Sequence, residues 1–195
     1  MKSSKTFRLL ALAAALILPL LAQGDLSAAG LTTKIKVSFE GTNLERTTGL
    51  GKSVLAITSI FTGDLTDGVA INQADKIYTL KAQTIASAAT LTLDLKGSLI
   101  DPSGAAFTPN KLKCLFIYSR STNTTTLTLF NDAAHVPILS DVTVTTTLKP
   151  GGIFLLTDPS LAGIPVTAGT GDLILITNGS GAEAKVDIVL VGASS

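Results

Sequence analysis

Four stretches of the chain carry residue types that do chemistry elsewhere. Gly49-Leu-Gly-Lys-Ser53 has the ending of a phosphate-binding loop, where backbone N–H groups and a lysine cradle phosphate oxygens. The full motif needs a glycine five positions before Gly51, and Arg46 stands there. Val54–Phe61 is β-rich and offers no helix N-terminus to receive a phosphate. The segment therefore reads as a turn between strands. His135 is the only histidine, with Asp132 and Asp141 near it in sequence. No serine sits in a G-x-S-x-G elbow, and one histidine cannot anchor zinc without further N or S ligands. His135 reads as a polar loop residue before Pro137. Gly63-Asp-Leu-Thr-Asp-Gly68 puts Asp64 and Asp67 in one tight loop, where Thr62 or Thr66 carbonyls could join them around calcium. The spacing is not that of an EF-hand, and the alternative is carboxylates closing their own turns. Asp64 and Asp67 are the metal candidates, and calcium is the one cofactor considered. Cys114 is the only cysteine, so no internal disulfide forms; it lies in the apolar run Leu112–Tyr118 and is expected to pack as a small hydrophobe. No catalytic residue is identified and the chain is not expected to be an enzyme. Sugar sites favour aromatic platforms, and a chain with no Trp and 2 Tyr offers few.

The elements that would position these residues are strands. Lys34–Glu40 alternates, with Ile35, Val37 and Phe39 on one side and Lys36, Ser38 and Glu40 on the other. Ser53–Thr62, Lys76–Lys81 and Thr90–Leu95 follow, then Lys111–Ser119, apolar enough to be a central strand with Leu112, Cys114, Phe116 and Ile117 buried. Thr124–Phe130 and Val142–Leu148 are threonine-rich, and Ile153–Thr157, Leu173–Thr177 and Lys185–Val191 complete the set. Asp101-Pro-Ser-Gly104, Lys149-Pro-Gly-Gly152 and Asn178-Gly-Ser-Gly181 punctuate them; the second is expected to join two antiparallel strands, and the third has the strongest hairpin signal. Asn123-Thr-Thr and Asn178-Gly-Ser match the glycosylation triplet. Many short strands with frequent turns predict an all-β protein, a β-sandwich of jelly-roll type, as a single domain over residues 30–195.

Before that domain stands an export signal. Lys2, Lys5 and Arg8 precede the apolar run Leu9–Leu18, and small residues follow. The run is too short for a permanent span, which takes about 20 residues. The signal is read as a cleavable helix ending at Gly24, with Ala29 as the alternative. The protein is then exported: extracellular, on the cell surface or periplasmic. Losing residues 1–24 removes three basic residues and no acid, leaving 12 Lys+Arg against 14 Asp+Glu. Such a balance, with scattered charges, gives no grip on nucleic acid or anionic lipid. About 170 remaining residues suffice for a real core without disulfides.

Five stretches carry a resemblance. They are Asp67-Gly-Val-Ala-Ile-Asn-Gln-Ala-Asp75, Leu91-Thr-Leu-Asp-Leu-Lys-Gly-Ser-Leu99, Lys149-Pro-Gly-Gly-Ile-Phe-Leu-Leu156, Val166-Thr-Ala-Gly-Thr-Gly-Asp-Leu173 and Asp187-Ile-Val-Leu-Val-Gly-Ala-Ser194. In order and spacing they resemble small virion structural proteins of tailed phages, β-rich and head- or tail-associated. The resemblance implies a scaffold and a structural role, here combined with an export signal. It supplies no site residues. The expected function is a non-catalytic exported structural protein that self-associates into a homo-oligomer. The alternative is a binding module for a surface glycan or protein. The runs Thr124–Thr128 and Thr143–Thr147 carry no charge and are the expected contact strands, unless they are already paired inside the fold.

Overall fold

A computed structural model of the chain describes residues 30–43, 47–48, 51–52, 55–130, 132–138 and 144–195. Residues 1–29, where an export signal, its helix and its cleavage points are expected, lie outside the described residues. Among the described residues there are strands, turns and loops and no helix.

The chain opens on a long antiparallel ribbon. β1 (Thr33–Asn43) pairs with β4 (Leu55–Leu65) in unbroken register from Thr33 opposite Leu65 to Asn43 opposite Leu55. Between them β2 (Thr47–Thr48) pairs with β3 (Gly51–Lys52). Among the described residues the ribbon strands pair with no other strand.

The body follows: β5 (Lys76–Ile85), β6 (Thr90–Asp94), β7 (Lys111–Ser119), β8 (Leu127–Leu129), β9 (Thr146–Leu148), β10 (Ile153–Thr157), β11 (Ile164–Pro165), β12 (Leu173–Asn178) and β13 (Ala184–Ala193). They form two sheets. One is five-stranded, ordered β10-β7-β13-β5 with β11 also on β7; the other is four-stranded, ordered β6-β12-β8-β9. The pairing is nested. β5 pairs with β13, β6 with β12, β7 with β10 and β8 with β9, so the first half of the body runs alongside the second in reverse. β13 against β7 and β12 against β8 then close each sheet.

One core joins both sheets. Leu115, Ile117, Val186, Ile188 and Leu190 from the larger sheet meet Leu93, Leu127, Leu129, Ile174 and Ile176 from the smaller. β7 is the solid apolar strand expected, and Leu112, Cys114 and Ile117 are buried. Phe116 is only half-buried, because it lies on the other face of the sheet. Lys113 is the extra residue of a bulge: Cys114 pairs with Val191, but Leu112 pairs with Gly192. The extra residue reverses the alternation and returns Leu112 to the core side. Its own ammonium donates to the Ser160 carbonyl.

Two turn readings change in meaning. Lys149–Gly152 is a tight turn: Gly152 N–H donates to the Lys149 carbonyl at 2.8 Å, and Gly151 takes φ +78° after Pro150. It joins β9 to β10, which belong to different sheets, so it is a corner and not a hairpin. Asn178–Gly181 likewise links β12 to β13 across the sheets. Asn178 is buried there. Its amide donates to the carbonyls of Ile85, Ala86 and Ala182 and accepts from the Thr125 hydroxyl. Asn123 is buried too, bridging Ser119 and the Lys185 backbone. Both triplet asparagines are therefore structural staples, out of reach of a glycosylating enzyme once the protein is folded.

Candidate functional site

The residues that promised chemistry are dispersed. Asp64 stands on the ribbon with its carboxylate 3.9 Å from the Lys34 ammonium, and both side chains are exposed. Asp67 is exposed in the following loop. Among the described residues no three His, Cys, Asp or Glu side chains gather as a metal-holding group. His135, read as a polar loop residue, is buried: its Nδ1 donates to the Val136 carbonyl at 2.6 Å, Nε2 meets no polar partner among the described residues, and the ring lies 6.0 Å from that of Phe130. Asp132 accepts from the Ala134 N–H instead of facing the imidazole, and Asp141 lies outside the described residues. Gly51 and Lys52 are strand residues, and β4, not a helix, comes next. Cys114 packs as a small hydrophobe, and burial pushes its thiol up to about 11, far from the thiolate form at neutral pH.

What the fold does assemble is an apolar face. On the outer side of the five-stranded sheet, cross-strand pairing sets side chains in rows. One row is Thr157, Cys114, Val191 and Ile77; the next is Leu155, Phe116, Val189 and Thr79. A third begins Ile153, Tyr118 and Asp187. The ribbon base covers the first row: Cys114 and Val191 form a small buried cluster with Leu65 and Ala74, against which Leu31, Ile35 and Ile77 pack. The second row is covered only in part, with Val189 packed against that cluster. Phe116 and Val189 are half-buried, Leu155 is 36% exposed and neighbouring Ile153 is 59% exposed. Between this face and the ribbon runs a groove of about 490 Å³, lined by Ile35, Val37, Phe116, Leu155 and Val189 among others.

The ribbon is itself two-faced. Directly opposed residues of an antiparallel pair share a side. Ile35, Val37 and Phe39 thus share theirs with Phe61, opposite Val37, while Lys34 and Lys36 share the other with Asp64 and Thr62. This is the alternation expected of residues 34–40. Its apolar side is turned towards the sheet, where Ile35, Val37 and Phe61 line a cavity together with Leu155. Phe39 and Phe61 meet edge to face, with ring centroids 6.3 Å apart, and each remains 61% exposed.

At the polar end of the sheet, Arg120 donates to Asp187 through Nε and Nη2, and Ala82 N–H donates to the same carboxylate. Burial pushes Asp187 up, but the Arg120 and Ala82 hydrogen bonds outweigh it and hold the carboxyl below its ordinary range. Ala82 has φ +55° at the β5 bulge, so the carboxylate ties down a strained N–H.

The expected contact strands fare differently. Thr128 is paired on both sides, with Thr177 and Thr147, so β8 is interior. Thr146 and Thr147 lie on β9, an edge strand, and Thr143 lies outside the described residues. The exposed apolar face was missed in the sequence because nothing in Ile153–Thr157 or Phe39 tells that one side goes uncovered. No protein-family model, curated protein or solved structure matches the chain.

Proposed function

We propose that this chain is a non-catalytic, exported structural protein whose β-sandwich is of jelly-roll type and self-associates in a surface, extracellular or virion-like assembly. The nested pairing of β5–β8 with β9, β10, β12 and β13 supports the jelly roll, since a doubled ribbon rolled into two sheets gives that order. That architecture serves capsid and lectin domains alike, so it narrows the function without deciding it. The observation that carries the structural reading is the exposure of large apolar side chains at Ile153 and Leu155 on β10 and at Phe39 and Phe61 on the ribbon. Soluble proteins keep such contiguous apolar surface for contact with a partner. The sequence likeness to tailed-phage virion proteins supports the same role, and the basic–apolar–small order of residues 1–24 supports export.

The groove under the ribbon favours a second reading, a binding module for a surface protein or glycan. One preparation tests both. Full-length protein is expressed in an export-competent bacterium and recovered outside the cytoplasm. Mass spectrometry should find its N-terminus at Asp25 or Gly30, and an intact Met1–Leu10 would refute export. Sedimentation velocity at micromolar concentration should show an oligomer. A monomer at every concentration would overturn self-association and favour the binding module.

A further inference from the structure

We infer that the groove beneath the ribbon is a binding site for one amphiphile, a medium-chain carboxylate whose alkyl tail lies on the sheet and whose head sits at the β1 edge beside Thr33, Lys34 and Lys36. The first ground is an unfilled seat. Ribbon and sheet face each other through apolar side chains, yet a cavity of about 270 Å³ remains on the β4 flank and the groove of about 490 Å³ on the β1 flank. Protein interiors pack with few voids larger than a water molecule. Ile35, Val37 and Leu155 border both spaces, which are therefore neighbours under one ribbon. The larger has the volume of a small-molecule site, about 300–1,000 Å³, and apolar walls that suit an apolar guest.

The second ground is the shape of the floor. Cys114 and Val191, then Phe116, Val189 and Leu155, then Ile153 border the groove in successive rows of the sheet. Ile153 pairs with Tyr118, so the strip runs along β7 from Cys114 to Tyr118, about 13 Å at about 3.3 Å per residue. That is the scale of a medium-length alkyl chain. Exposed Ile153 marks the open end.

The third ground is polar and fixes the direction. Among the described residues the only charged side chains bordering the groove are Lys34 and Lys36, both on β1 and both exposed. Thr33 borders it too, on the same side of the strand as Ile35, and its buried hydroxyl has no hydrogen-bond partner among the described residues. A carboxylate supplies what is missing, an acceptor for the hydroxyl and a countercharge for the ammoniums. Lys34 is balanced only in part, by Asp64 at 3.9 Å. The opposite flank is set against an anion. Asp64 lines the smaller cavity, and Lys113 beside it already donates to the Ser160 carbonyl. The head therefore lies at β1 and the tail runs towards Ile153. The ligand is a single free molecule and not a membrane surface, on which scattered charges have no grip.

Isothermal titration calorimetry of the full chain with dodecanoate, kept below its micelle concentration, tests the site. One dodecanoate should bind per chain. Dodecyltrimethylammonium, with the same tail and the opposite charge, should bind about tenfold more weakly. Leu155→Trp fills the groove from its floor and should abolish binding. Val189→Phe fills it from the neighbouring strand and serves if circular dichroism shows that Leu155→Trp fails to fold. Lys34→Gln combined with Lys36→Gln should weaken dodecanoate about tenfold and leave the cationic probe no weaker. Absence of saturable dodecanoate binding overturns the site, and so does binding that both groove-filling variants leave intact. Equal affinity for the two probes, or a lysine variant that binds dodecanoate like wild type, overturns the carboxylate as the ligand. None of these outcomes bears on self-association, which sedimentation reads separately.

Discussion

Asn178→Ala should open the corner between β12 and β13. The Asn178 side chain is 1% exposed and its amide group is the meeting point of four segments. Nδ2 lies 3.1 Å from the Ile85 carbonyl, 3.0 Å from that of Ala86 and 2.8 Å from that of Ala182, while Oδ1 accepts from the Thr125 hydroxyl. Ala86 keeps a second partner, the Ala89 N–H at 3.1 Å. Truncation therefore strips a partner from Ile85, Ala182 and Thr125. At about 1 kcal/mol for each lost bond, the cost is about 3 kcal/mol. For a chain of this length that lowers the melting temperature by about 6–12 °C. Asn178→Asp should cost more at neutral pH. It keeps the acceptor for Thr125 but turns a negative charge on three carbonyls, and burying an unpaired charge is worse than deleting the group. Lowering the pH protonates it and should recover part of the loss. Urea titration of wild type, Asn178→Ala and Asn178→Asp at pH 7 and pH 4 measures all of this. Thr125→Val completes a double-mutant cycle with an expected coupling of about 1 kcal/mol. If Asn178→Ala costs less than about 1 kcal/mol and Asn178→Asp matches it at both pH values, the amide is not holding the two sheets at this corner.

Two further predictions concern charge. Burial lowers the pKa of Lys113, helped by Lys111 and opposed by Asp158, so the folded state disfavours the ammonium. Its cost is fully present below the depressed folded value and is relieved as pH rises from there towards 10.5. Lys113→Met should thus be neutral or stabilising by about 1–2 kcal/mol at pH 7, with the gap to wild type closing in alkali; a loss above about 1 kcal/mol in denaturant would mean that the Ser160 bond outweighs desolvation. Asp187 is held below its ordinary 3.8, so its contribution is complete above that value and disappears as pH falls through the lower folded one. Asp187→Asn should cost about 1 kcal/mol at pH 7, the scale of a partly exposed bidentate pair, and nothing measurable near pH 2. A difference that stays constant across that range would refute the assignment.

How far the sequence carried the fold depends on which physical signal each element leaves. Alternation made β1 legible, down to the side shared by Ile35, Val37 and Phe39. Solid apolarity made β7 legible, because a strand covered on both faces needs no polar side. Neither signal says what covers a face. Phe116 reads like Ile117, yet one meets the core and the other an open groove. Turn chemistry was legible as bending and not as pairing. Pro150 with Gly151, and Asn178 with Gly179, mark tight reversals, but the same dihedrals serve a hairpin and a corner between sheets. Which one forms is decided by strands far away in sequence. β12 and β13 follow one another and never pair, because β6 and β8 flank the first while β5 and β7 flank the second. Threonine misled for a related reason: at Thr124–Thr128 an uncharged run was free to enter the interior of a sheet, where Thr125 is consumed by Asn178. The absence of charge that made this run a contact candidate is also what allows a strand to be paired within its own fold. The property separating the two cases is a large apolar side chain left facing water. By that measure the large apolar side chains left facing water lie on the ribbon and β10, at Phe39, Phe61, Ile153 and Leu155, and not on the threonine runs.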